Sequence, residues 1–90
     1  MNIDINKIKE IYGIETLNLI KDNIKDVIKN INYLEQLGFT DTIDIFERYT
    51  LIFIEDVTYF KQKIDKLISE LGDNYVDLIE NDLSILDKLY

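Results

Sequence analysis

The sequence reads as an all-α protein: a small helical bundle or short α-solenoid of about two helical repeats, with five to six helices. Three observations predict this class. Apolar residues recur at steps of three and four along most of the chain, the spacing of one helix face. There is no Pro, and Gly occurs only at 13, 38 and 72, so little interrupts a helix. Finally, Ile43 to Phe53 (IDIFERYTLIF) returns 33 residues later as Val76 to Leu86 (VDLIENDLSIL). Every apolar residue of the second segment except Leu83 meets an apolar one in the first, and 33 residues is a common period of helical repeats. The chain is therefore expected to form one domain over 1–90, with repeat-like units at 13–37, 38–71 and 72–90.

Asp4 can cap a first helix over roughly Ile5 to Tyr12, with Ile5, Ile8, Ile11 and Tyr12 on its inner stripe and Gly13 ending it. The next helix begins near Glu15–Thr16 and runs to about Leu37. Leu17, Ile20, Ile24, Val27, Ile28, Ile31, Leu34 and Leu37 form a seam along a partner helix. Lys21, Asp22, Lys25, Asp26, Lys29 and Asn30 are assigned to the solvated face. With no Pro or Gly inside, the helix is read as continuous; a bend near Asn23, where the repeat would place one, is the alternative.

Gly38 ends this helix, and Phe39 can pack back over its last turn as in a Schellman cap. Thr40 is the N-cap candidate for a short helix reaching Arg48 or Tyr49, with Ile43, Phe46 and Ile45 as inward candidates. Leu51-Ile52-Phe53-Ile54 is rich in strand formers but has no partner strand elsewhere, so it is read as a buried helical turn and linker. Asp56 caps the clearest helix, with Val57, Phe60, Ile64, Leu67, Ile68 and Leu71 inward and Gly72 as a left-handed C′ residue. Asp73 is expected to cap a helix over Asn74 to Glu80, and Asp82 one over Leu83 to Leu89.

The charge of −8, from 10 basic and 18 acidic residues, repels phosphate backbones and anionic membranes. It suits a basic partner, or serves solubility alone. Without Cys there is no disulfide or thiolate chemistry, and without His the commonest general base and metal ligand is missing. The longest apolar run, Leu51 to Ile54, is far short of the ~20 residues of a membrane span. The expectation is a cytoplasmic protein that engages neither membrane nor nucleic acid and carries no cofactor or metal.

Leu37-Gly38 and Leu71-Gly72, with Phe53, Phe60 and Leu67 three, ten and seventeen residues beyond Thr50, form a pattern that resembles the helical repeat of the mitochondrial transcription termination factor (mTERF) family. Glu47-Arg48-Tyr49 before Thr50 also fits, and in the next copy Leu86 lies three beyond Leu83. The resemblance implies a small α-solenoid. The family's proline is replaced by Thr50 and Leu83, and its basic concave surface has no counterpart in a chain of charge −8, so nucleic-acid binding does not carry over.

The acids at Asp41/Asp44, Glu55/Asp56 and Asp73/Asp77 read as caps and first-turn residues that complement helix dipoles. No calcium loop, phosphate-binding glycine loop or nucleophile signature accompanies them, so no enzyme is expected. Phe39, Phe46, Phe53 and Phe60 are core candidates. Leu19, Ile45, Ile52, Ile54 and Ile14 fall off the main stripes, and are either covered by neighbouring short helices or left on a surface. Ile52 and Ile54 flank Phe53 and cannot both follow it inward. With Tyr49, Tyr59 and Tyr75, stiff amphipathic side chains suited to interfaces, they make the candidate interface. The leading functional expectation is a non-enzymatic helical protein–protein interaction module, with a second copy in a homodimer among its partners. The alternatives are an acidic mimic of nucleic acid that blocks a basic cleft, and an mTERF-like nucleic-acid binder.

Overall fold

The computed structural model describes residues 3–90, of which 81% are helical and none is in a strand. Seven α-helices are followed by a closing 3-10 helix. They are α1 Ile5–Tyr12, α2 Ile14–Asp22, α3 Ile24–Leu37, α4 Thr42–Arg48, α5 Thr50–Phe53, α6 Val57–Leu71 and α7 Tyr75–Asn81, with the 3-10 helix at Leu83–Leu89. The all-α class stands, with more helices than the five to six expected.

The extra helices come from two breaks. The expected continuous helix is interrupted at Asn23 (φ −115°, ψ 24°), which separates α2 from α3. Asn23 Nδ2 donates to the Leu19 carbonyl at 2.8 Å. Asparagine is a local competitor for backbone hydrogen bonds, and counting only Pro and Gly as breakers overlooked it. The second break, at Tyr49, makes the Thr50–Phe53 turn a helix of its own.

The breaks follow the repeat. α3 and α6 begin 33 residues apart, at Ile24 and Val57; α4 and α7 span Thr42–Arg48 and Tyr75–Asn81, the same shift. Turn hydrogen bonds recur at that offset too. The Tyr49 N–H donates to Ile45 at 2.9 Å and the Asp82 N–H to Leu78 at 3.1 Å; Ile52 donates to Tyr49 at 3.1 Å and Ile85 to Asp82 at 3.2 Å. α4–α5 and α7 with the 3-10 helix are therefore two copies of one helical corner.

Capping is largely as the sequence implies. Asp4, Asp56 and Asp82 accept N–H groups from the first turns of α1, α6 and the 3-10 helix. Gly38 (φ 108°, ψ 4°) closes α3 with both Schellman bonds, Gly38 N–H to Glu35 O at 3.1 Å and Phe39 N–H to Leu34 O at 3.2 Å. Two caps are corrected. α4 is capped by Asp41, through Asp44 N–H, and Thr40 instead donates to Glu80 Oε2 at 2.7 Å. α7 starts after Asn74, so Asp73 lies outside the cap position. Gly72 has the expected positive φ but not the left-handed helical ψ: at φ 83°, ψ −164° it occupies a region open essentially to glycine alone.

One core runs through the molecule. Phe46, Phe53 and Phe60 form a chain of rings with centroids 5.5 and 5.1 Å apart, enclosed by Val27, Ile31 and Leu34 of α3 and Ile64 and Leu67 of α6. Ile79, Leu86 and Leu89 close the C-terminal side. The radius of gyration is 12.7 Å, against about 12 Å for a closed globule of this length. Two inward assignments do not hold: Ile5 and Ile11 are exposed, because α1 lies at the rim and buries only Ile8. In α4, Ile45 is buried while Ile43 is only partly so.

Candidate functional site

The surface is defined partly by which polar side chains the fold consumes. Asn30, assigned by sequence to the solvated face, is fully buried. Its Nδ2 donates to the carbonyls of Phe53 and Glu55, both at 2.9 Å, and so ties α3 to the end of α5. The residue 33 positions on is Lys63 of α6. It donates to Glu55 Oε1 at 2.8 Å and to the Leu89 carbonyl at 3.0 Å, tying α6 to the end of the 3-10 helix. Each long helix thus places a donor at the same register and holds the short helix behind it. Asn30 could have been recognised by its position between Val27 and Leu34, three residues from the first and four from the second.

The tyrosines act likewise. Tyr12 donates to the Glu47 and Arg48 carbonyls at 3.0 and 2.9 Å, Tyr49 to Leu83 at 2.9 Å and Tyr75 to Leu37 at 3.0 Å. Tyr33 donates to Asp65. Desolvation, then the hydrogen bond and charge of Asp65, push Tyr33 up to about 12. Tyr49 and Tyr90 are also raised, desolvation first, so these hydroxyls remain donors at neutral pH.

The candidate interface is therefore redistributed. Tyr49 and Tyr75 are half-buried and joined to backbone carbonyls across the fold. Ile52 is in the core, 2% exposed, beside Ile45 and Leu86. Ile54 is half-buried against that core. Of the five, only Tyr59 stands exposed. It borders an open cavity of about 430 Å³ between α6 and the 3-10 helix, with Lys63, Lys66, Glu70 and Lys88 around it, and Lys63 Nζ lies 4.4 Å above its ring. The side chain left outside near Phe53 is Leu51. Helix geometry turns positions 50, 52 and 53 inward and 51 outward, whereas the linker reading treated 52 and 54 as equivalent neighbours of 53.

The two helical corners expose a further surface. On the inner corner, α4–α5, Ile45 is 3% exposed, because Leu86 and Leu89 close over it and Ile52 and Leu83 lies beside it. On the outer corner, the equivalent of Ile45 is Leu78, 42% exposed, and the equivalent of Ile52 is Ile85, half-buried. Sequence reasoning paired Leu78 with Ile45 without asking what would cover it. Among the described residues no group of three or more His, Cys, Asp or Glu side chains is placed to hold a metal ion, and no helix is long and apolar enough to cross a membrane. Comparison of the chain with protein-family models, curated proteins and solved structures yields no match in any of the three.

Proposed function

We propose that this chain is a non-enzymatic helical module that binds another protein. One observation carries the reading: large apolar side chains stand exposed at repeat positions that are core elsewhere in the same chain. Leu19 is 47% exposed where its counterpart Ile52 is 2%, and Leu78 stands to Ile45 in the same way. A position that is core in one copy and open in another is a surface shaped to be covered. The polar groups support a scaffold role, since Asp4, Asp41, Asp56 and Asp82 serve as caps and Tyr12, Tyr49 and Tyr75 as ties between helices.

A second reading, the acidic mimic of nucleic acid, is favoured by one feature: Asp73, Asp77, Glu80, Asp82 and Asp87 fall in the last 18 residues beside a single cation, Lys88. Salt separates the two. Apolar pairing persists as ionic strength rises, while mimicry of a polyanion weakens steeply. The experiment is capture from the native host on the immobilised chain, with elution by stepped salt and identification by mass spectrometry. Retention of a specific protein through high salt is expected. Nothing retained above blank matrix would refute the module, and release of everything at modest salt would favour mimicry.

A further inference from the structure

We infer that the outer face of α7 and the closing 3-10 helix is a docking surface for a basic amphipathic helix of another protein. This rests on the module reading above and names its surface and partner. The geometry comes from the chain itself. The inner corner, α4–α5, is covered by helical residues of the outer one: Leu83, Leu86 and Leu89 lie against Ile45 and Ile52, and Tyr49 donates to the Leu83 carbonyl. The outer corner repeats the inner one in helix bounds and in turn hydrogen bonds. Its Leu78 and Ile85 therefore offer the same kind of seat, open on this side. What fits a seat shaped by apolar helical residues is another helix presenting an apolar stripe.

Charge selects which helix. At the inner corner the flanking residues are Thr40, Asp44 and Tyr49; at the outer corner the same register holds Asp73, Asp77 and Asp82, all exposed. Two neutral side chains have become carboxylates around one apolar seat. A second copy meeting this face about a two-fold axis would set those carboxylates against their own equivalents, which opposes pairing. A helix with Lys or Arg flanking a leucine stripe meets complementary charge instead.

The test uses the full chain and two labelled peptides of about fourteen residues with one helical pattern, one of Leu and Lys, the other of Leu and Glu, read by fluorescence anisotropy. The Leu/Lys peptide is expected to bind and the Leu/Glu peptide not to. Leu78→Ala should weaken binding about tenfold, as loss of a buried leucine contact requires, and Leu78→Lys should weaken it further. Leu51→Ala, at an exposed leucine on α5, should leave it within about twofold. Asp73→Asn with Asp77→Asn should weaken binding and flatten its salt dependence. Both Leu78 substitutions lie on the surface, and circular dichroism checks that they fold. Absence of binding, binding indifferent to Leu78, or equal binding of both peptides overturns the proposal. So does concentration-dependent self-association in sedimentation that Leu78→Ala abolishes, since a second copy would then hold the face. Any of these, alongside continued capture of a host protein by the chain, removes this surface and leaves the module reading standing. Failure of capture is the separate result that removes the module.

Discussion

Replacing Asn30 by Ala tests whether the fold depends on a buried amide that no stability argument from apolar patterning includes. The substitution removes two hydrogen bonds, to the Phe53 and Glu55 carbonyls. The Phe53 bond is buried, so its carbonyl is left without a partner, at about 1–3 kcal/mol. The Glu55 bond is only partly buried, and water can replace most of it. Against this, Asn30 Oδ1 is itself buried without a partner, and its removal returns part of the loss. The net is a destabilisation of about 2 kcal/mol, a large share of the ~5–13 kcal/mol of a domain this size. Urea unfolding followed by circular dichroism and tyrosine fluorescence measures it, with an unchanged m-value showing that the denatured state is the same. Asn30→Asp sharpens the test. Only the protonated carboxyl can donate to these carbonyls, so its pKa in the folded state is raised above the unfolded value of about 3.9. Stability should then match the parent most closely at acid pH and fall as pH rises from there towards the folded-state pKa. An Asn30→Ala variant within about 0.5 kcal/mol of the parent, or an Asn30→Asp variant whose deficit does not grow with pH, would refute the tie between α3 and α5.

Phe60→Ala and Leu67→Ala empty fully packed positions and should cost about 3–5 and 2–5 kcal/mol in the same unfolding assay. Gly72→Ala should cost about 1–3 kcal/mol by thermal melting and exceed Gly38→Ala, because both sites have room for a Cβ and only Gly72 lies outside the left-handed helical well. In spectrophotometric titration Tyr33 should ionise near 12; its contribution to stability is complete below the unfolded value of about 10 and is lost as pH rises towards 12, and Asp65→Asn should bring the midpoint down. Ile52→Asp should prevent folding while Leu51→Asp leaves the circular dichroism spectrum intact, and equal tolerance of both would show that the α5 register is wrong.

The features legible in the sequence are those set by local chemistry. Glycines with positive φ end α1, α3 and α6 where expected, and aspartates start α1, α6 and the 3-10 helix. The four phenylalanines are all buried. The misses depend on what lies across the fold. Asn30 looks like one polar residue among many until α5 presents two carbonyls to it. Tyr49 and Tyr75 were fairly placed at edges, but their hydroxyls are directed at Leu83 and Leu37, partners distant in sequence and invisible to a local pattern. Ile5 and Ile11 show the converse error: their spacing is helical and apolar, and only the position of α1 at the rim leaves them open. The break at Asn23 was legible through the repeat, since Asp56 occupies the same register and begins α6.

The paired register of Asn30 and Lys63 separates the two halves of the molecule in kind. On α3 the tie is a neutral amide in the core, insensitive to salt. On α6 the same position holds a half-exposed ammonium shared between a carboxylate and the last turn of the 3-10 helix. An ion pair of that exposure is weak and screened by salt. The closing element is further a 3-10 helix, whose hydrogen bonds are poorer than those of the α-helix at the matching place, and its outer side carries no further layer. α7 and the 3-10 helix therefore form the less strongly held corner, where local opening takes the least energy. Leu78 and Ile85 sit on that corner. A helix seated there would supply the outer layer that the inner corner already has, so binding at this end would stabilise the part of the fold with least holding it.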